Sequence, residues 1–182
     1  MTRLTVIAGP TAVGKGTVVR YLLDKHPEIL LSVSATTRQP RVGEIDGVHY
    51  YFVSNERFDQ MIADNELLEY AVVHQTNRYG TPRKPVEQAL EAGQQMILEI
   101  DIQGAQQVKE SMPDANLIFI APPSLEELNK RLLGRGTESA EEIAIRLETA
   151  KVEMNGKSLF DHVVINDEVA DCAQEVLDLM KS

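Results

Sequence analysis

Apolar and β-branched residues dominate four short stretches, 4–8, 96–102, 116–121 and 162–166, with little polar alternation inside them. Runs of that length and character read as strands covered on both faces, the pattern of a parallel sheet. Residues 29–34 form a weaker fifth run. Between these runs the apolar positions shift to helical spacing over 15–25, 85–92 and 103–111, ended by Pro27, Gly93 and Pro113 in turn, and again over 170–180. Alternating strand and helix predicts an α/β doubly wound fold, a five-stranded and mostly parallel sheet flanked by helices.

Two stretches interrupt that alternation. Residues 34–82 carry aromatic and β-branched runs at 48–53 and 67–74 around a small helix near 56–64, so a small mixed β subdomain is expected as an insertion. Residues 124–154 are helical and polar. There Ser124-Leu125-Glu126-Glu127 and Ser139-Ala140-Glu141-Glu142 each fit a capping box, in which serine and glutamate satisfy one another's backbone donors at a helix start. Gly134-Arg135-Gly136-Thr137 separates the two starts, and two helices about a glycine-flanked joint predict a lid. The core is then 1–33, 83–123 and 155–182 of a single domain, and function belongs to the loops at the carboxyl ends of its strands.

The first of those loops, Gly9-Pro10-Thr11-Ala12-Val13-Gly14-Lys15-Gly16-Thr17, fits the phosphate-binding pattern G-x-x-x-x-G-K between a strand and a helix. Its glycines allow the tight turn that points amides and a helix N-terminus at one anion, and Lys15 adds a full positive charge. Gly16 stands where the pattern expects Ser or Thr, and the hydroxyl comes one residue later at Thr17. Further on, Arg38 and Arg41 follow Ser32-Val33-Ser34 at the end of a strand. Two arginine forks suit a second anion, although that segment alone fits a solvated surface turn equally well.

Charge narrows the partners. A net charge of −10 over 182 residues argues against a surface built to coat nucleic acid or an anionic membrane, so a nucleotide has to be held by local cations. No apolar run approaches the ~20 residues that span a bilayer, and Met1-Thr2-Arg3 enters the first strand without a signal pattern, so a cytoplasmic location is expected. The single cysteine, Cys172, has no partner for an internal disulfide and reads as a core thiol.

Residues 32–53, taken with the 9–17 loop, resemble the guanylate kinase family, nucleoside monophosphate kinases on a P-loop NTPase core, and the likeness continues to the C-terminus. The resemblance implies ATP-dependent transfer of a γ-phosphoryl group to GMP, and to dGMP, by direct in-line attack, with Mg2+ as cofactor. It implies that 34–82 is the GMP-binding insertion and that Gly9, Pro10, Thr11, Ala12, Val13, Gly14, Lys15, Gly16 and Thr17 bind ATP, with Asn166 near the adenine. Ser34, Arg38, Arg41 and Tyr50 would form the GMP site, the arginines and tyrosine holding its phosphate. Glu69, in Leu67-Leu68-Glu69-Tyr70-Ala71, matches the glutamate that reads guanine. A carboxylate accepts from guanine N1–H and the 2-amino group, whereas adenine has an acceptor at N1 and no such amine.

Asn77-Arg78-Tyr79-Gly80-Thr81 resembles the next family hairpin, which gives Tyr79 to the phosphate and Thr81 to the base. Arg78 replaces the first of two tyrosines there, Thr76 stands where glycine is usual, and the stretch from Glu69 runs one residue longer. Asp101 is expected on the GMP side or, with Thr17, on the metal through water, with Glu99 secondary to it. Lid arginines Arg131, Arg135 and Arg146 join Lys15 and Arg38 as the catalytic set. The expected partners are ATP and GMP, with neither nucleic acid nor membrane, and the expected state is a monomer. Rival readings are a kinase for another small phosphate on the same scaffold, a monophosphate kinase for another base, and a non-enzymatic binding module of the same family.

Overall fold

A computed structural model describes residues 2–73, 77–134 and 140–182. The chain opens with β1 (Leu4–Ala8), α1 (Lys15–Lys25) and β2 (Leu30–Leu31). It then leaves for a second sheet through β3 (Ala35–Thr36), β4 (Tyr51–Phe52), α2 (Asn55–Ala63), β5 (Leu67–Val73) and β6 (Asn77–Pro82). It returns through α3 (Arg83–Glu91), β7 (Met96–Glu99), α4 (Ile102–Ser111), β8 (Asn116–Ala121), α5 (Leu125–Gly134) and α6 (Ala140–Asn155). A 3-10 turn (Gly156–Leu159), β9 (His162–Ile165) and α7 (Val169–Lys181) complete it.

The main sheet runs β2-β7-β1-β8-β9 with every neighbouring pair parallel. The chain lays β2 and β7 on one side of β1 and then crosses to the other for β8 and β9. That reversal opens a crevice at the carboxyl end of β1, the usual ligand position in such sheets. Successive β1 side chains point to opposite faces. Ile7 packs with Val18, Leu22 and Val176 on the α1 and α7 side, and Leu4 and Val6 pack with Val86 and Val108 on the α3 and α4 side. Cys172 is buried in the first of these layers, and burial, with Glu175 nearby, pushes its thiol up to about 12.

In the main sheet two strands fall well short of the sequence reading, each for a local reason, and in the second sheet the 48–53 run yields only β4. β7 stops at Glu99 because Asp101 caps α4, its Oδ1 accepting the Gly104 N–H at 2.7 Å, so the cap ends an apolar run that continues to Ile102. The run at 29–34 yields only the two-residue edge strand β2, because the chain turns away to β3 of the second sheet.

The second sheet is mixed, in the order β4-β3-β6-β5, with β3 and β4 parallel and the other pairs antiparallel. It closes over Ala35, Phe58, Met61 and Leu67. Leu67 pairs with Pro82 but Tyr70 with Gly80, so β5 holds one residue more than β6 across this interval. That β-bulge absorbs the extra residue and contains Glu69. Arg78, in place of a tyrosine, staples β6 to α2: its guanidinium lies 4.8 Å from the Phe58 ring centroid and donates to Asp59 Oδ1 at 2.5 Å and to the Asn55 carbonyl at 2.7 Å. In α5 the serine half of the expected capping box forms, Ser124 Oγ accepting the Glu127 N–H at 3.1 Å, while the Glu127 carboxylate turns to Lys130 and Arg131. Ser139 and the joint residues Arg135, Gly136 and Thr137 lie outside the described residues.

Candidate active site

Residues 9–17 join the end of β1 to the start of α1. Gly9 has φ +149° and passes so close to β8 that a Cβ would stand 2.2 Å from the Ile120 carbonyl oxygen. Gly14 caps α1 with φ +96°, where a Cβ would meet Asn166 Nδ2 at 2.7 Å. Ala12, at φ +66°, takes a left-handed conformation at a cost of about 1–3 kcal/mol, a strain typical of ligand-holding loops. Lys15 reaches back across the loop, its Nζ donating to the Gly9 carbonyl at 2.6 Å and to the Pro10 carbonyl at 3.2 Å.

Two side chains from elsewhere in the chain hold the same loop by the Val13 carbonyl. Asn166, just past β9, donates to it from Nδ2 at 2.7 Å, and Arg131 of α5 donates from Nη1 at 3.3 Å. Asn166 is buried, and its Oδ1 has no partner among the described residues. Beside the loop lies a cavity of about 320 Å³ lined by Ala12, Lys15, Thr17, Arg20 and Glu99. Glu99, which follows Leu98 at the end of β7, stands so near that a Cβ on Gly16 would lie 3.5 Å from its carboxylate. Glu99 is open to this cavity, yet the protein packed around it pushes its carboxyl up, against the pull of Lys15.

Arg38, Tyr50 and Tyr79 converge at the second sheet. The Arg38 Nε donates to Tyr79 Oη at 3.2 Å, and its guanidinium lies 5.4 Å from the Tyr50 ring centroid, with the two tyrosine rings edge to face. Glu44 grips Arg38 with both oxygens, at 3.0 and 2.8 Å, and accepts the Arg41 N–H at 2.7 Å. Arg38 first and the Arg41 amide second hold the Glu44 carboxyl at about 2. The Arg41 side chain is exposed, and Ser34 precedes β3, its carbonyl accepting the Tyr51 N–H at 2.9 Å.

Glu69 is 6% exposed, and Thr81 Oγ1 donates to its Oε1 at 2.6 Å. Gly104 of α4 faces this carboxylate with room for little else, since a Cβ there would stand 3.1 Å from Glu69 Oε2 and 3.4 Å from Asp101 Oδ1. Burial raises the Glu69 pKa, Thr81 partly offsets this, and nearby Asp101 adds to it. Asp101 therefore stands beside Glu69, while Glu99 stands beside the 9–17 loop.

Arg131 reaches the loop as described. Arg135 and the Arg146 side chain lie outside the described residues, although position 146 falls within α6. Two glutamates that the sequence reading passed over belong to the geometry. Glu44 carried only a turn signal. Glu153, near the end of α6, accepts the Thr11 N–H at 3.4 Å, and burial pushes its carboxyl up against the pull of the Thr11 amide and Lys15, with Asp101 adding to the rise. Its partner lies 142 positions away, so no local pattern marks it. A larger cavity, about 870 Å³ between α2 and α3, includes none of these residues.

The family model described as guanylate kinase matches residues 1–182. A guanylate kinase of Leifsonia xyli is 62% identical over 177 residues, 97% of this chain and 70% of that protein. Another, of Streptomyces coelicolor, is 57% identical over 97% of this chain and 89% of its own length. A crystal structure of guanylate kinase from Anaplasma phagocytophilum superposes with a TM-score of 0.75 at 33% identity, over 98% of this chain and 84% of that one.

Proposed function

The chain belongs to the guanylate kinase family, and from that premise we propose how its residues divide the work of phosphorylating GMP at the expense of ATP. Lys15 and the amides of 9–17 hold the ATP phosphates, with Asn166, bonded to the Val13 carbonyl, near the adenine. Arg38, Arg41, Tyr50 and Tyr79 hold the acceptor phosphate, with Ser34 beside them. Glu69, Thr81 and Asp101 read the guanine edge. One oxygen of the GMP phosphate attacks the γ-phosphorus in line as the bond to ADP breaks. The acceptor oxygen is already anionic, so no general base is required, and the protein contributes position and charge. Arg131, Arg135 and Arg146 neutralise the transferring group as the lid, 124–154, closes and excludes water.

The observation that carries this reading is the buried Glu69 carboxylate, bonded on one oxygen by Thr81 and flanked by a second acid. A buried carboxylate gains most from a ligand that presents two adjacent N–H donors, as guanine does. The residues also fit a magnesium ion. Among the described residues no three His, Cys, Asp or Glu side chains converge as a metal nest, whereas the Thr17 hydroxyl and the Glu99 carboxylate offer hard oxygens at the loop cavity. Such a pair suits Mg2+ that keeps most of its water and leans on phosphate oxygens. The placement of Glu99 there favours it over Asp101 on the metal side. When bound, the ion shields phosphate charge.

A net charge of −10 argues against nucleic acid or an anionic membrane as partner, and we place the chain in the cytoplasm as a monomer. Among the described residues no helix is long and apolar enough to cross a membrane. A coupled ADP-release assay over GMP, dGMP, AMP, UMP, CMP and a ribose bisphosphate tests the assignment. Turnover is expected with GMP and dGMP, and turnover confined to another acceptor overturns it.

A further inference from the structure

β5 is an edge strand, so the outer main-chain groups of Tyr70 would ordinarily face water. Instead the half-buried side chain of Gln107, on α4, pairs with them as a neighbouring strand would. Its Oε1 accepts the Tyr70 N–H at 3.1 Å, and its Nε2 donates to the Tyr70 carbonyl at 3.1 Å. One turn later Ser111 Oγ donates to the Leu68 carbonyl at 2.9 Å. The two contacts straddle Glu69, which shares the bulge opposite Thr81 with Leu68. The helix that makes them begins at Asp101 and carries Gly104 against the Glu69 carboxylate.

A bulge has lost part of its ladder, so its conformation depends on whatever else grips it. Here α4 of the main sheet grips it from outside. We propose that Gln107 is a positioning residue for guanine recognition: its two-way bond to Tyr70, supported by Ser111, fixes the bulge so that the Glu69 carboxylate stays registered with Thr81 and Asp101. The proposal rests on the reading of Glu69 as the base-reading acid. It has a structural corollary. The base-reading group is tied to the core through α4, while the phosphate-holding Arg38, Tyr50 and Tyr79 belong to the rest of the second sheet.

Gln107→Leu keeps the bulk and removes both bonds, and Gln107→Glu keeps an acceptor for the Tyr70 N–H while losing the donor. The measurements are kcat, KM for ATP, KM for GMP, the preference for GMP over IMP (which lacks the 2-amino group), and the melting temperature. Because small misplacements of binding groups are costly, Gln107→Leu is expected to raise KM for GMP about tenfold and to shrink the GMP preference, with KM for ATP unchanged. Gln107→Glu moves the same way, its second oxygen now facing the Tyr70 carbonyl without a proton to donate, and it reports on the clamp if the leucine variant fails to fold. A lower melting temperature with KM for GMP and base preference unchanged overturns the proposal. Glu69→Gln serves as the separate control. If it too leaves the GMP preference intact, the Glu69 reading fails; if it abolishes the preference while Gln107→Leu does not, the clamp alone fails.

Discussion

Lys15 and Glu69 make opposite demands on their surroundings, and each yields a measurable expectation. The Lys15 ammonium sits at the mouth of the 9–17 loop, over the Gly9 and Pro10 carbonyls. Lys15→Ala removes the cation proposed to meet the ATP phosphates, and turnover is expected to fall by about 10²–10³ with the melting temperature little changed. Near-normal kcat in steady-state assays would remove Lys15 from the catalytic set. Glu69, by contrast, is a carboxylate whose burial raises its pKa above the ordinary 4.5. The folded protein thus binds that proton more tightly than the unfolded chain does, so Glu69 opposes folding once pH rises through the window above 4.5, and binding needs the anion. Inhibition by guanosine, which has no phosphate to titrate, is therefore expected to weaken as pH falls toward that window and to become pH-independent in Glu69→Gln. A flat wild-type profile would contradict it. Lys15 was legible in the sequence because a phosphate loop is a local pattern, whereas Arg38 and Arg41 alone fitted a surface turn equally well and were singled out only by the family resemblance. Glu153 and Gln107 were not legible, because each acts on a segment far away in the chain.

Elements were legible to the degree that their pattern matched their burial. The β1 and β8 runs are covered on both faces and stop where the apolar residues stop. β7 and β2 were over-read, one because a helix cap overrides its hydrophobic run and the other because an edge strand needs few residues before the chain departs. Nothing local marks the junction of α4, β8 and β9, yet one side chain joins them. Asp161 Oδ2 accepts the Leu117 N–H at 2.9 Å and the Lys109 ammonium at 3.0 Å. Burial alone would raise its pKa, but the Leu117 amide and Lys109 outweigh that and lower it. A lowered carboxyl stabilises the fold above its ordinary value of 3.8 and loses that contribution as pH falls through the range below. Asp161→Ala is expected to cost about 1 kcal/mol, mostly through the orphaned Leu117 N–H, since solvent screens the lysine pair. That corresponds to a melting temperature lower by about 2–4 °C, with KM for both nucleotides unchanged. A shift in either KM would show that the junction reaches the site.

At the scale of the whole molecule the two substrates are assigned to different sheets, ATP to the crevice of the parallel one and GMP to the mixed one. The sequence marked the second sheet as an interruption of strand and helix alternation, with 34–82 set apart from the core, and the resemblance alone linked it to GMP. It did not show how the sheets are joined, because the joint is made by side chains of α4 on the main chain of β5. Those bonds, with the shared layer of Leu68, Leu98, Ala105 and Val108, argue that both sheets melt as one cooperative unit. A ligand that binds only the folded state stabilises it by about 2.7 kcal/mol at a hundred times its Kd. For a chain of this size that raises the melting temperature by about 5–10 °C. Either nucleotide alone is therefore expected to move a single transition in differential scanning fluorimetry. The variants should separate the two effects: Glu69→Gln loses the GMP shift and keeps the ATP shift, and Lys15→Ala does the reverse. If instead GMP raised only part of a biphasic transition, the mixed sheet would be melting on its own, and α4 would not be the tie between base reading and phosphoryl transfer.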